Sequence, residues 1–426
     1  MQLSVLFTNI FHLVFHGVIL TDSYQGASAS FSLPLYLLLP MLSAIMAITP
    51  LTIDMYLPAM SAIAQSFNAS VIEVQQSLSV YLAGYALGML TFGPMADRVG
   101  RRPLVLIGLS GFMLATLGLA LANDLSTFMV LRFVQAVLGS AATVVIPGYV
   151  KEIYGDNTAK GMSYVGLIMM IAPLAAPTIG SLILGLGRWQ LIFYVLTVYA
   201  LILLLLVALK LHMPSDAAKG ERSQQSMLRN YAVVFSRPGV KPYLCSGLLC
   251  SLAFFSYLTA SPFVYMEVFG LSEHTFALLF ALNVAALAMA NLVNSRIVVK
   301  HGSRKMLALA TASGTVAAFA LVLINFLSLP YWCTVAVLMP LLGSMGIMSV
   351  NSDAIVLMKF KQETGTATAV IGTLRFGVGA LAGPILALFY TGTAMPFCTL
   401  MAVAVVLVGV CQLFTFPGTL SPKASH

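Results

Sequence analysis

Between Leu35 and Phe416 the chain presents one apolar stretch after another, each near the roughly 20 residues that a helix needs to cross a bilayer, with mostly short polar gaps between them. That succession leaves no room for a separate water-soluble domain. Composition agrees: 60% of the 426 residues are hydrophobic and 8% are charged, against about 25% charged in soluble domains, too few to cover a surface facing water. Apolar runs set against Pro, Gly and charge clusters predict spans over 35–62, 75–95, 104–122, 126–149, 163–186, 191–211, 243–266, 274–296, 306–327, 332–354, 367–390 and 395–416. The expected fold is an all-α integral membrane protein of twelve transmembrane helices.

Lys and Arg concentrate in cytoplasmic loops, so alternate loops should be basic. Arg98, Arg101 and Arg102 follow span two, and Lys151 and Lys160 follow span four. Lys210, Lys219, Arg222, Arg229, Arg237 and Lys241 follow span six, Lys300, Arg304 and Lys305 span eight, and Lys359 and Lys361 span ten. The opposite loops hold Arg188 with the acids Glu73, Asp124, Glu267 and Glu273. A missed or invented span would break the alternation. Orientation in the membrane therefore accounts for the net charge of +8, no nucleic-acid partner is called for, and both ends of the twelve-span core are expected in the cytoplasm. Residues 1–34 stand outside this pattern: Met1 to Leu20 is apolar, but no Lys or Arg precedes Arg98, whereas a secretory signal wants a basic start. They are read as an N-terminal extension, with a thirteenth span as the alternative.

Chemistry of other kinds is poorly represented. Cys245, Cys250, Cys333, Cys398 and Cys411 lie in apolar spans without the paired spacing of zinc or redox sites. The six His are scattered, and no Lys is followed by Ser or Thr, which excludes a Walker A phosphate loop. No metal, no cofactor and no enzymatic activity are expected, and the energy source is not ATP hydrolysed by this chain.

The polar gap 213–240 divides a six-helix bundle over 35–212 from a second over 241–417, with a cytoplasmic tail over 418–426. The two are repeats. Gly93-Pro-Met-Ala-Asp97-Arg98-Val-Gly100-Arg101-Arg102 after span two has a worn copy, Ser295-Arg296-Ile-Val-Val-Lys300-His-Gly302-Ser-Arg304, after span eight, and Pro177 and Pro384 occupy matching places in spans five and eleven. Such duplication places a substrate site near the midplane between pseudo-symmetric halves, reached from each side in turn as one half rocks on the other. The loop from Gly93 reads as a conformational latch: Gly100 permits a tight reversal, Asp97 can meet a basic partner, and Arg98, Arg101 and Arg102 can reach carbonyl ends of neighbouring helices. Topology charges alone are the plainer reading, but they leave the Asp, the glycines and the proline without a reason.

The run from Gly93 to Pro103 resembles the signature loop of the major facilitator superfamily. Thr52-Ile53-Asp54-Met55-Tyr56-Leu57-Pro58, Leu131-Arg132-Phe133, Ser261-Pro262-Phe263-Val264-Tyr265 and Leu374-Arg375-Phe376-Gly377 resemble its Bcr/CflA subgroup of bicyclomycin and chloramphenicol exporters, over about Pro40 to Pro417. The resemblance implies the major facilitator fold, proton-driven export of small drug-like molecules across a bacterial inner membrane, and a functional monomer whose partners are drug, protons and the lipid bilayer.

Asp54 is the acidic residue set into the first span. A carboxylate at the centre of a spanning helix costs at least about 2.5–3.5 kcal/mol, so it must be protonated, paired or facing water. Burial favours its neutral form and a nearby cation its charged form, so a side chain moved between the two takes up and releases a proton. The alternative is that Asp54 satisfies backbone loosened by Pro50 and Pro58. Arg132, deep in span four, needs an acceptor; Asp54 is a candidate, Gln135 lies one turn away on the same face, and the resemblance links Arg132 to proton transfer. Packing against carbonyls is the other possibility. Asp353 is expected to pair with Lys359 or Lys361. In span five, Ala172-Pro173, Ala176-Pro177 and Gly180-Ser181 are small residues and prolines that bend a helix and admit a close neighbour. They resemble the antiporter motif of superfamily exporters, although Ala172, Ala176 and Ser181 stand where that pattern prefers Gly. Tyr56, Tyr81, Tyr85, Tyr257, Asn351, Arg375 and Phe376 fall on spans that line the cavity in the superfamily and are the candidate substrate pocket. Two further functions stay open: uptake of a natural metabolite on the same fold, and a membrane sensor or scaffold that transports nothing.

Overall fold

The computed structural model describes residues 35–211, 234–360 and 364–414. The N-terminal extension, most of the 213–240 linker, Lys361 and the tail lie outside the described residues, as do the side chains of Asp97 and Arg98. Every regular element described is helical, and twelve helices are long and apolar enough to cross a membrane: α1 (Leu37–Ser66), α2 (Val71–Ala96), α3 (Arg101–Ala120), α4 (Leu125–Tyr154), α5 (Gly161–Leu184), α6 (Gln190–Lys210), α7 (Lys241–Val268), α8 (Glu273–His301), α9 (Ser303–Phe326), α10 (Tyr331–Leu357), α11 (Ala367–Leu388) and α12 (Met395–Leu413). These are the predicted spans, with ends shifted by a few residues.

Local chemistry sets the starts and the interruptions. Ser70 and Glu73 close a capping box that opens α2. Asp124 caps α4 by accepting the Thr127 backbone N–H at 2.8 Å, a bond that holds its carboxyl below the usual carboxylate range. Three spans are interrupted by one mechanism: proline lacks an N–H and its ring crowds the carbonyl four residues back. Regular helix stops at Asp54 ahead of Pro58, at Thr143 ahead of Pro147, and at Gly379, one residue short of the carbonyl that Pro384 crowds. Pro173 and Pro177, by contrast, sit inside helix that stays continuous to Leu184, so the matching prolines of α5 and α11 do not act alike. α7 ends in a π-helical turn over Phe263–Val268.

Packing confirms the duplication. Within the first half α1 packs on α4, α5 and α6, α2 on α4, and α3 on α4 and α6. Adding six to every number gives the packing of the second half: α7 on α10, α11 and α12, α8 on α10, and α9 on α10 and α12. The worn loop repeat keeps its backbone as well, since Gly100 (φ 93°, ψ 151°) and Gly302 (φ 76°, ψ 153°) turn the chain in the same left-handed-side conformation, which glycine adopts without a Cβ penalty. The fold is thus two pseudo-symmetric six-helix bundles, joined along the seams α2–α11 and α5–α8.

Polar links between the halves lie at the end opposite the basic loops. There Ser61 Oγ donates to Glu267 Oε1 at 2.8 Å, Gln76 Nε2 to the Gly383 carbonyl at 3.2 Å, and the Gly383 N–H to Ser79 Oγ at 3.0 Å. The last bond uses an N–H freed by the interruption of α11. A cavity of about 20 Å³ remains at that end, lined from both halves by Gln75, Ala260, Val264 and Leu386 among others, room for little more than one water. That end is shut.

Candidate functional site

The interruption of α1 positions the first functional side chain. Asp54 is the last residue of regular helix before Pro58, and it is 4% exposed. Arg132 of α4, which reaches the α1 backbone two residues earlier, is fully buried. Its Nη1 donates to Gln135 Oε1 at 2.9 Å and, more weakly, to the Thr52 carbonyl at 3.4 Å, and Gln135 Nε2 continues the chain to Thr116 Oγ1 at 2.8 Å. The guanidinium lies 4.2 Å from the ring centre of Tyr56 and 4.7 Å from that of Tyr81. Such cation–π contacts are worth about 2 kcal/mol or more each once water is excluded.

Of the partners open to Arg132, Gln135 and a backbone carbonyl are the ones it meets, and an ion pair with Asp54 is not formed. Among the described residues ion pairs join Arg101 to Glu152 and Arg375 to Asp353, and Arg132 Nε and Nη2 are buried with no hydrogen-bond partner. The reason is steric and electronic: two tyrosine faces and Gln135 hold the fork in place, within reach of the α1 backbone at Thr52 but not of the carboxylate. The chain therefore carries a buried acid and a buried cation that meet α1 two residues apart, Arg132 at the Thr52 backbone and Asp54 beyond it, without pairing.

Around this pair the predicted pocket residues divide. Tyr56 and Tyr81 are part of the arginine sandwich; Tyr56 Oη is also 3.2 Å from Ser77 Oγ. Tyr85 stacks with Tyr81 at 6.3 Å, shares a 2.7 Å hydrogen bond with Thr143 where α4 is interrupted, and meets Phe376 of the other half at 4.4 Å. Phe376 in turn meets Phe255 at 5.6 Å, so an aromatic bridge joins the halves near mid-span. Tyr257 lies apart, bonded to Asn283 at 3.0 Å. Asn351 does not join the group, because its amide is engaged by Asn294 Oδ1 at 3.0 Å and the Ile347 carbonyl at 2.8 Å between α8 and α10. Arg375 reaches Asp353 Oδ1 at 2.9 Å and Ser349 Oγ at 2.6 Å. That corrects the expectation for Asp353; Lys359 instead donates to the Pro238 carbonyl at 2.9 Å.

Gly180, in the antiporter-like stretch with Pro173 and Pro177, is needed for a close approach. A Cβ there would lie 1.9 Å from the Met55 carbonyl oxygen, so α5 touches the α1 backbone immediately after Asp54. In the loop from Gly93, Arg101 donates to the Gly148 carbonyl at 3.2 Å and pairs with Glu152, and Arg102 donates to the Ala208 carbonyl at 2.8 Å. Both reach carbonyls near the ends of α4 and α6, as expected, but within their own half rather than across to the other.

Sequence reasoning missed Asn283, Phe255 and Thr143. An uncharged Asn inside an apolar span carries the same warning as an acid, in weaker form, and that signal was available for Asn283. Nothing marks Phe255 or Thr143 before the helices are packed.

Comparison with known proteins agrees with this geometry. A family model described as Major Facilitator Superfamily matches residues 42–384. The chain is 32% identical to a bicyclomycin resistance protein homolog of Haemophilus influenzae, over 86% of this chain and 92% of that one. It is 29% identical to the multidrug resistance protein MdtM of Salmonella typhimurium, over 88% and 91%. Among solved structures, a partially occluded inward-open conformation of the xylose transporter XylE from E. coli superposes with a TM-score of 0.70 at 14% identity, covering 91% of this chain and 98% of that one, a likeness of fold.

Proposed function

Since the chain belongs to the major facilitator superfamily, as a multi-pass membrane transporter of small molecules that fits the Bcr/CflA subgroup, we propose that it is a proton-coupled antiporter exporting drug-like molecules, bicyclomycin and chloramphenicol among them, across the bacterial inner membrane. The observation that carries the reading is the unpaired couple of Asp54 and Arg132. With the end opposite the basic loops shut, Asp54 is buried at the C-terminal end of a helix segment, where the helix dipole as well as burial opposes an ionised carboxylate. Arg132 meanwhile is parked on tyrosine faces with two donors free.

Loss of the proton from Asp54 creates a charge that Arg132 can satisfy. Its swing towards the carboxylate uncovers Tyr56 and Tyr81, whose faces are then available to cargo along with Tyr85 and Phe376. Proton and drug thus compete through the guanidinium, which is the condition for exchange rather than joint transport. In this reading the basic loops face the cytoplasm, as the positive-inside pattern supports, and the end now closed faces the periplasm. The carrier works as a monomer, with the proton gradient as energy source and no cofactor. Relatives named for bicyclomycin and multidrug resistance support drug as the cargo.

The test uses purified protein in liposomes under an imposed pH gradient, with bicyclomycin and chloramphenicol in the panel. Wild type should accumulate drug against its gradient, and Asp54→Asn should bind drug yet lose the gradient dependence. Gradient-driven accumulation by Asp54→Asn would rule out the coupling role, and movement of a metabolite with no movement of any drug would rule out export of antibiotics.

A further inference from the structure

The end of the linker is fastened to the second half before α7 begins. Val234 and Val240 are buried in the core, and between them the chain turns at Gly239, whose φ of 67° suits a residue without a Cβ. Lys359, just past the end of α10, donates to the Pro238 carbonyl at 2.9 Å and stands 5.9 Å from the ring centre of Tyr243. The Arg237 guanidinium stands 5.5 Å from the ring centre of Phe360. Beside this buckle lies an open groove of about 640 Å³, with Phe235, Arg237, Pro238, Lys241 and Pro242 among its walls. The walls are of two kinds. Arg237 and Lys241 are exposed cations, and among the described residues no carboxylate pairs with Lys241 or Lys359. Phe235, 39% exposed, forms an apolar wall with the two prolines. Lys241 is also the first residue of α7, so the positive end of the helix dipole adds to the same field. The groove thus lies where a span leaves the hydrocarbon, at the depth of lipid headgroups, on the side that carries the basic loops.

We propose that this groove seats the headgroup of an anionic phospholipid, with Arg237 and Lys241 on its phosphate and Phe235 and Pro242 against its glycerol and upper acyl carbons. Basic pockets at the cytoplasmic ends of spans bind anionic headgroups for this reason. A free inorganic anion would meet the two charges but leave most of the groove and its apolar wall to water. A zwitterionic lipid would bring a cation of its own to a cationic seat. Lys359, engaged by the Pro238 carbonyl, keeps the wall in shape. The bound lipid then ties the linker's end and the first turn of α7 to one leaflet. This goes beyond the proton-coupling reading and does not depend on it.

The experiment titrates the purified full-length protein in a non-ionic detergent with dioctanoyl phosphatidylglycerol and follows the melting temperature, which rises as a ligand occupies the folded state. Dioctanoyl phosphatidylcholine and inorganic phosphate are titrated alongside. Phosphatidylglycerol should raise the melting temperature saturably, and the other two should not. Loss of one cation, in Lys241→Gln or Arg237→Gln, should weaken that binding about fivefold. Arg237→Gln also loses its place over Phe360, so Lys241→Gln serves alone if Arg237→Gln does not fold. Lys300→Gln, at the end of α8 in another basic loop, should leave the binding as it is. No rise with phosphatidylglycerol, an equal rise with phosphatidylcholine or phosphate, or unchanged binding in Lys241→Gln overturns the inference. Equal weakening in Lys300→Gln does so too, by showing a general attraction to the basic side. None of these outcomes bears on Asp54, so the coupling reading stands or falls by its own test.

Discussion

Gly180 offers a test in which the magnitude can be worked from the contact itself. A Cβ at this position would lie 1.9 Å from the Met55 carbonyl oxygen, 2.8 Å from its carbon and 3.1 Å from the Met55 Cα. The first distance is about 1.5 Å short of an ordinary van der Waals separation. All three atoms are backbone, so no rotamer change relieves the clash. Either α5 retreats from α1 or the interrupted stretch after Asp54 is rebuilt, at a cost of about 1–3 kcal/mol by analogy with overpacked cores. Asp54 precedes Met55, so the shift reaches the carboxylate, and a misplacement near 1 Å can lower a rate about a hundredfold. Gly180→Ala should therefore lower both the thermal unfolding temperature in detergent and the initial rate of gradient-driven transport. Gly166→Ala in the same helix, with nothing within 4 Å of its would-be Cβ, should leave both intact. Wild-type unfolding and transport in Gly180→Ala would show that the α1–α5 contact is not what holds Asp54 in place.

Arg132→Lys keeps a positive charge but loses the planar fork and the ring stacking; transport should fall at least about tenfold, read as initial rates in liposomes, and an unchanged rate would separate the tyrosine sandwich from function. Arg375→Ala strands Asp353, so a double-mutant cycle with Asp353→Ala, measured by chemical unfolding, should show a coupling of about 0.5–3 kcal/mol; additive effects would mean the pair holds nothing together. Gly383→Ala places a Cβ 2.3 Å from Ser79 Oγ and 3.0 Å from Gln76 Oε1, crowding the closed end. In a background with the native cysteines removed, a cysteine at Gln75 should then react faster with a membrane-impermeant maleimide, and Ser79→Ala should reverse the gain; unaltered labelling would show that this seam is not the gate.

The twelve spans, the repeat and the basic loops were legible because each is a property of runs of residues. Gly100, Arg101 and Arg102 were legible because a tight turn and free carbonyl ends are local demands. What sequence could not supply was the selection among equals. Pro58 and Pro147 end regular helix on the residue four before them and Pro384 near that place, yet Pro173 and Pro177 leave theirs continuous; proline's missing N–H is the same in all five, and neighbours decide the outcome. The chemistry of Asp54 and Arg132 could be read from their cost in a bilayer. Their separation could not, since helical periodicity gives a face and not a rotamer. Asp353 was assigned to lysines close in sequence, whereas α11 brings Arg375 to it from across the loop.

The packing that repeats with a shift of six has a mechanical corollary. The seams α2–α11 and α5–α8 exchange with each other under that shift, and since six crossings keep each helix's direction, a two-fold along the membrane normal relates the halves, which meet along a line running from one face of the membrane to the other. Two stiff bodies hinged on such a line cannot part at one end without converging at the other. Rocking of whole bundles, more than any single gate residue, is then what would keep a passage from opening to both compartments at once, the leak that would short-circuit an ion gradient.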